Sequence, residues 1–209
     1  MPNLVELFEA TIAPGPLPAG PEPAQLIALA QSMHAAGFTP SYGPGDHGNL
    51  SCRTRDGILI TARATSKASL TSHDLVVIRR ADNAGGRPTL RCLGARLPST
   101  DAWMHWQLYA DHSTIHAIIH GHDAAVLRHA EALGLQATRT SGLVNSPELI
   151  EEVRQLAQHD RYFLTRDHGF LALGTSVDDA TTLLWSWHQR ASARDAHPNA
   201  SPTRRPGSQ

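Results

Sequence analysis

Apolar segments of strand length alternate with amphipathic segments of helix length in this 209-residue chain, and this alternation limits the possible folds most strongly. The run from Ile115 to His120 is mostly apolar on successive residues, which predicts a strand buried on both faces of a sheet. Arg55-Asp56-Gly57, between two apolar runs, indicates a hairpin. Helices, hairpins and a buried strand together predict an α/β domain whose mixed sheet carries helices on both faces.

Periodicity and capping residues place the individual elements. The predicted strands are 48–52, 57–61, 75–79, 90–93, 115–120, 162–165 and 170–173. The predicted helices are 24–36, from Ser99 or Thr100 to 110, 123–133, a segment that begins at Ser146-Pro147, and 176–190. The long crossover through 99–158 predicts parallel pairing in part of the sheet.

The two ends of the chain differ in composition from its middle. Residues 1–23 are predicted as a Pro- and Gly-rich arm, 24–190 as one folded domain, and the polar stretch 191–209 as a disordered tail. A net charge of −1 gives no indication of a nucleic-acid or membrane partner. Without a signal-type segment or a spanning run, and with two cysteines expected as free thiols, the chain is predicted to be cytoplasmic.

Three histidines and one aspartate carry the strongest chemical signal. His120 and His122 end the predicted buried strand two residues apart, so their side chains are expected on one face. His168 follows a second apolar run, and three imidazoles with one open position are typical of a catalytic zinc site. With 13 histidines in the chain, a chance pair of polar residues at a strand end remains the alternative. The carboxyl end of a strand is, however, a common place for a ligand site.

Four segments, taken in order, resemble the class II aldolase/adducin family. They are Gly48-Asn49-Leu50-Ser51 with the strand 56–61; Ser66-Lys67 with Leu70-Thr71 and Asp74-Leu75; Pro98-Ser99-Thr100-Asp101 with His105 and Tyr109; and His120-Gly121-His122 with Asp167-His168-Gly169 and Gly174. The resemblance covers about residues 24–190. It implies a three-layer α/β/α sandwich around a mixed, largely antiparallel sheet, and a homotetramer with active sites between subunits.

The same resemblance implies roles for single residues. His120, His122 and His168 would bind a divalent cation, most often zinc, and Asp101 would be the general base or a further metal ligand. Residues of three loops would hold the anionic end of a substrate: Gly48, Asn49, Ser66, Ser99 and Thr100. Asp101 is expected in the first turn of its helix, where free N–H groups and the helix dipole favour an anion.

The chain departs from the family pattern in several places. Ala62-Arg63-Ala64 stands where sugar-phosphate aldolases of the family have Pro-Thr-Gly, so a phosphate loop of the usual shape is not expected. Arg63 is expected either to bind an anion through a charge-assisted fork or to face solvent. Asp101 replaces the usual glutamate of the aldolases and is similar to the aspartate of the pentulose-phosphate 4-epimerases.

Other polar residues near these motifs are assigned less definitely. No tyrosine follows Tyr162, so the proton donor that these aldolases take from near their C-terminus is not identified. His47 either lines the pocket or lies on the surface. His105 is expected to be packed or hydrogen-bonded inside its helix layer.

We therefore predict a divalent-metal-dependent lyase of the aldolase type, with zinc as the expected metal. Its substrate would be a small hydroxy-carbonyl compound of the sugar-phosphate kind, converted through a metal-stabilised enediolate. Asp101 would move the proton. The alternatives are an epimerase, decarboxylase or dehydratase that uses the same site, or a non-catalytic adducin-like assembly module.

Overall fold

The computed structural model describes residues 7–83, 86–143 and 145–196, which contain nine strands and five α-helices. The strands are β1 (Glu9–Ala13), β2 (Asn49–Thr54), β3 (Gly57–Thr61), β4 (Leu75–Asp82), β5 (Thr89–Leu93), β6 (Ala117–Gly121), β7 (Ala137–Ser141), β8 (Tyr162–Arg166) and β9 (Gly169–Gly174). The helices are α1 (Glu22–Ala35), α2 (Ala102–Asp111), α3 (Ala124–His129), α4 (Pro147–Leu156) and α5 (Val177–Ala196).

All of these strands join one sheet in the order β1-β5-β4-β3-β2-β6-β9-β8-β7. Only the outer pairs β1·β5 and β7·β8 are parallel, and the six inner pairs are antiparallel. The predicted mixed, largely antiparallel sheet is confirmed. The predicted parallel pairing within the crossover is found where α4 connects β7 to β8.

Helices cover both faces of the sheet, as predicted. Helices α1, α3 and α5 pack on one face, and α2 and α4 pack on the other. Neighbouring residues of β6 alternate between these two cores, with Ile119 in the first and Ile118 in the second. The result is a three-layer α/β/α sandwich. Cys52 and Cys92 are both buried free thiols, as expected.

The antiparallel order of the central strands brings the ends of four strands together. We call this row of strand ends the sheet edge, as distinct from the edge strands β1 and β7 at the two sides of the sheet. Asn49, at the start of β2, pairs with His120, and Gly121 pairs with Phe170 at the start of β9. The turn that connects β8 to β9 lies at the same edge. Because these pairings fix the register, residues that are far apart in sequence converge there.

Several predicted boundaries at the two ends are wrong. Within the predicted arm, residues 9–13 form β1, which pairs with β5, and α1 already begins at Glu22. Helix α5 continues to Ala196, so residues 191–196 are not disordered. Its last turn is held by Asp195, which bonds Arg128 and His129. Residues 1–6 and 197–209 lie outside the described residues.

Two further elements differ from the sequence prediction. Strand β7, Ala137–Ser141, was not predicted because Ala-Thr-Arg-Thr-Ser has no apolar alternation. The Glu152 carboxylate of α4 accepts hydrogen bonds from the backbone N–H groups of Arg139 and Thr140, which ties this edge strand to the helix. Helix α3 ends at His129 rather than at Leu133, and the chain continues in turns to Gly134.

Candidate metal and substrate site

Three histidines meet at the edge where the central strands end. His120 is buried on β6, His122 follows that strand, and His168 lies in the turn between β8 and β9. Among the described residues they form a group whose potential ligand atoms all lie within 4.8 Å of one another. The ring centroids are 5.3 Å apart for His120 and His122 and 4.4 Å apart for His122 and His168. The structure thus brings all three predicted ligands together.

Glycine allows the chain segments around this cluster to approach closely. A Cβ atom on Gly169 would lie 2.4 Å from the carbonyl oxygen of Gly121 and 2.8 Å from Cδ2 of His122. A Cβ atom on Gly48 would lie 2.8 Å from the carbonyl oxygen of His120, and Gly48 has φ +79°. A side chain at either position would push the β8–β9 turn or the start of β2 away from the histidines.

The nitrogen atoms of the cluster suit a divalent cation. His120 donates from Nδ1 to the carbonyl oxygen of Phe170 at 2.8 Å, so Nε2 is the ring nitrogen left for a cation. His122 Nε2 is buried and has no hydrogen-bond partner in the described part of the chain. Burial and the nearby charge of His120 lower the pKa of His122 to about 2 and that of His168 to about 4. Both imidazoles are therefore neutral at neutral pH, as metal ligands must be.

The distances approach those of one bound ion. Two nitrogen ligands of a tetrahedral zinc ion lie about 3.4 Å apart, because each bond is about 2.1 Å long. The widest pair in the cluster, within 4.8 Å, would have to close by up to about 1.4 Å. Because the three rings converge and His122 Nε2 has no partner among the described residues, the set fits a divalent cation.

Asp101 occupies the N-cap position of α2, but its carboxylate does not cap the helix. Asn49 donates from Nδ2 to Oδ2 of Asp101 at 2.6 Å, and Asn145 donates from Nδ2 to Oδ1 at 2.7 Å. Burial tends to raise the pKa of the Asp101 carboxyl, but His120 and these hydrogen bonds outweigh that effect and hold the pKa below its usual value. The group is thus an oriented, ionised carboxylate beside the cluster.

Asp101 lies outside the 4.8 Å group that the three histidines form in the described chain. This arrangement agrees better with the predicted role of a base than with that of a metal ligand. Asn49 is itself buried, and its Oδ1 has no hydrogen-bond partner among the described residues. That oxygen remains available to a substrate hydroxyl or to a water molecule.

The other predicted anion-binding residues are placed in two groups. The segment 61–63 runs beside 97–99, since Ser99 N bonds Thr61 O and Arg63 N bonds Leu97 O. Ser99 Oγ accepts a hydrogen bond from Asp101 N at 3.3 Å, and Thr100 is half-buried next to it. Ser66, in contrast, donates to Asp46 at 3.3 Å.

The loop after Thr61 contains a backbone angle typical of glycine at a residue that is not glycine. Ala64 has φ 53°, in the left-handed region. A non-glycine residue pays about 1 kcal/mol for this conformation. The loss of glycine therefore does not prevent a left-handed backbone angle at this residue. Arg63 is half-buried rather than fully exposed to solvent.

Three features of the site were not predicted from the sequence or were left undecided. Asn145 precedes the predicted cap Ser146 and belongs to no periodic pattern. His47 stacks on His122 with ring centroids 4.8 Å apart, which favours its assignment to the pocket. Lys67 is buried, and burial lowers its pKa to about 8. Its Nζ donates to the carbonyl oxygens of Asp46 and Thr65, which links the two loops beside the cluster.

A second buried hydrogen-bond network includes His105, which lies one helical turn after Asp101 on α2. His105 Nδ1 and Ser51 Oγ are 2.7 Å apart, and Ser51 Oγ is 2.9 Å from the hydroxyl of Tyr109. The predicted burial of His105 inside its layer is confirmed, and burial lowers its pKa to about 4. This network connects α2 to β2, the strand that also carries Asn49.

The fold and the site define a class of α/β protein with three histidines and a carboxylate at one sheet edge. The sequence model of the Class II Aldolase and Adducin N-terminal domain matches residues 24–194, and this chain belongs to that family. The prediction of an enzyme of this family, a class II aldolase-type lyase, is confirmed by its relatives.

Two relatives and one solved structure illustrate the similarity. Methylthioribulose-1-phosphate dehydratase of Yersinia enterocolitica is 29% identical over 187 residues, which cover 76% of this chain and 85% of the relative. The 5-methylthioribulose-1-phosphate/5-deoxyribulose-1-phosphate aldolase of Escherichia coli is 24% identical over 169 residues, 74% of each chain. The L-fuculose-1-phosphate aldolase of Thermus thermophilus shares the fold, with a TM-score of 0.66, 21% identity, and coverage of 87% and 98%.

None of the described helices combines the length and the apolar character that are needed to cross a bilayer.

Proposed function

We propose that this chain is a divalent-metal-dependent dehydratase of a ketose 1-phosphate of the methylthioribulose 1-phosphate type. The observation that carries the proposal is the oriented Asp101 carboxylate beside three converging imidazoles. The similarity to dehydratases of this name supports the choice of dehydration over the aldol cleavage that the sequence motifs alone suggested.

His120, His122 and His168 would hold the cation. When bound, the cation would polarise the substrate carbonyl and acidify the neighbouring C–H group. Asp101 would accept that proton on a carboxylate oxygen. The C–H electron pair would then form a carbon–carbon double bond while hydroxide leaves the next carbon, and the proton would leave with the hydroxide as water. Asn49 and Asn145 would keep Asp101 in place during the transfer.

The phosphate would lie at the start of α2. Ser99 and Thr100 offer hydroxyl groups there, and the first N–H groups of the helix favour an anion. Gly48 and Asn49 would contribute from the start of β2, and Arg63 from the segment beside Ser99. Ser66 would contribute only if its hydroxyl turned from Asp46. His47 would form one wall of the pocket next to His122.

Aldol cleavage is the second candidate, because the Escherichia coli relative, which aligns with 74% of this chain, is an aldolase of a methylthioribulose phosphate. In that reaction Asp101 would take the proton of a hydroxyl group two carbons from the ketone. The O–H electron pair would form a carbonyl as the bond to the next carbon breaks, and the electron pair of that bond would move into the ketone group. We further propose zinc as the cation, a homotetramer as the assembled form and the cytoplasm as the location. Elemental analysis, light scattering and cell fractionation test these three assignments.

Product analysis separates the two reactions. The metal-loaded protein would be incubated with methylthioribulose 1-phosphate, and the products followed by NMR. Loss of water with an intact carbon chain is the expected result. Cleavage into two carbon fragments would instead establish the aldolase alternative. No reaction with this ketose phosphate, in protein with a full complement of metal, would contradict the proposal.

A further inference from the structure

Asn145 contacts the proposed base although no sequence motif includes it. It lies in the connection from β7 to α4, 44 residues after Asp101. Its Nδ2 donates to Asp101 Oδ1 at 2.7 Å and approaches the carbonyl oxygen of Thr100 at 3.4 Å. The amide thus contacts both the side chain of Asp101 and the backbone just before it.

The two carboxylate oxygens of Asp101 are bound from two different parts of the fold. Asn49 belongs to the central strand β2 and binds Oδ2, whereas Asn145 binds Oδ1 from the connection between β7 and α4. One donor alone would leave the carboxylate free to rotate about the Cβ–Cγ bond, because the χ2 angle of an aspartate has only weak preferences. Two donors on opposite oxygens fix the plane of the group.

The segment that carries Asn145 is itself anchored. The next residue, Ser146, caps α4 by accepting a hydrogen bond from Leu149 N at 3.1 Å. Leu149 and Val153 of α4 are buried against the sheet. The position of the Asn145 amide is therefore set by packed structure before any substrate binds.

We propose that Asn145 is a positioning residue which, together with Asn49, fixes the direction in which the Asp101 carboxylate faces the reacting carbon. This inference rests on the proposed role of Asp101 as the base. A charged hydrogen bond of this kind contributes enough for its loss to slow a proton transfer tenfold or more. Removal of the amide would leave Oδ1 without its donor and allow the carboxylate to turn towards a cation on the histidines.

The test compares Asn145→Ala with the matched variant Ser146→Ala. Both changes are in the same connection, but the Ser146 side chain bonds only the first turn of α4, which the buried Leu149 and Val153 still hold against the sheet when the cap is lost. Loss of Ser146 therefore reports a merely structural effect. Asn145→Ala is expected to lower kcat at least about tenfold with KM within about threefold, because the effect is on proton transfer. Ser146→Ala is expected to lower stability with kcat within about twofold. In an Asp101→Ala background, Asn145→Ala is expected to have no further effect.

A second readout needs no turnover. In crystal structures, the Asp101 carboxylate is expected to rotate away from its native plane in Asn145→Ala and to keep that plane in Ser146→Ala. An unchanged carboxylate, an unchanged kcat, or equal losses of kcat in the two single variants would each overturn the proposal. Wild-type protein that does not convert the ketose phosphate would contradict the proposed function, and the crystal comparison would still decide the position of the carboxylate.

Discussion

Two groups of histidines in this molecule lie in different surroundings. His120, His122 and His168 lie together at the sheet edge, and His122 Nε2 has no hydrogen-bond partner among the described residues. His129 and His188, on the helical layer, each lie 2.8 Å from an aspartate, Asp195 and Asp123. The second group bonds carboxylates within the fold, whereas each histidine of the first keeps one ring nitrogen directed at the cluster, even though His120 Nδ1 bonds Phe170.

This difference shows what distinguishes a binding histidine from a structural one. A buried ring nitrogen without a partner is not enough, since His105 Nε2 and His112 Nε2 are also buried without one among the described residues. The cluster differs because three imidazoles converge on one point. Both helical histidines instead connect elements: His129 joins α3 to α5, and His188 holds Asp123, which caps α3. The comparison predicts effects on chemistry for one group and small effects on stability for the other.

The largest expected effect is on turnover after loss of one cluster histidine. His120→Ala should reduce turnover below detection, because two imidazoles hold a cation poorly. His129→Ala, the matched control from the helical layer, should leave kcat within about twofold. Steady-state kinetics of both variants measure this contrast. Substantial turnover by His120→Ala would mean that the cluster is not the reaction centre.

Replacement of the base separates proton transfer from metal binding. Asp101→Asn keeps the size of the side chain but removes the basic oxygen, and turnover should fall by about 10²–10⁴-fold. The content of bound metal should stay close to that of the wild type, because the three histidines are unchanged. Kinetics and elemental analysis on the same preparation measure both quantities. Full activity would remove Asp101 from the role of base.

The buried histidines should also make the stability of the metal-free protein depend on pH. Burial lowers the pKa of His105 to about 4 from a usual value of about 6.5, so the unfolded chain binds more protons between these values. The free energy of unfolding should therefore rise as the pH increases from 4 to 6.5, by about 3 kcal/mol for this residue alone. His168, with a pKa of about 4, and His122 act in the same direction.

Urea denaturation of chelator-treated protein at several pH values measures this slope. His105→Gln should have a smaller slope than the wild type, whereas His129→Ala should keep the wild-type slope. A slope that is the same in His105→Gln would show that this imidazole does not resist protonation in the fold.

The smallest expected effect concerns the helical layer. His188→Ala should lower the free energy of unfolding by about 1 kcal/mol, because the Oδ2 atom of the mostly buried Asp123 loses its partner. Thermal or urea denaturation at pH 7 measures the change. A loss as large as that from removing a core side chain would mean that His188 is not a simple partner of Asp123.

The sequence predicted those parts of the site that lie where elements begin or end. His120 and His122 follow from a buried strand, and Asp101 from a helix start, so local patterns indicated them. Asn145 could not be predicted, because its contact with Asp101 depends on how the connection after β7 folds back over the sheet edge. The position of Lys67 likewise depends on two loops that meet only in the folded chain.

The same distinction applies to the fold. The inner strands were predicted because burial gives them continuous apolar sequence. The two edge strands, β1 and β7, have polar residues and exposed faces, so periodicity did not indicate them. Tertiary contacts stabilise these two strands. Strand β1 pairs with β5, and β7 pairs with β8 and is bonded by Glu152.

Titration of Zn²⁺ into the chelator-treated protein tests the central claim most directly. The wild type should take up about one ion per chain with high affinity, since three imidazoles converge there. A variant with alanine in place of His120, His122 and His168 should bind none at this site, although it retains His129 and His188. Equal binding by the wild type and this variant, or no binding by either, would contradict the account.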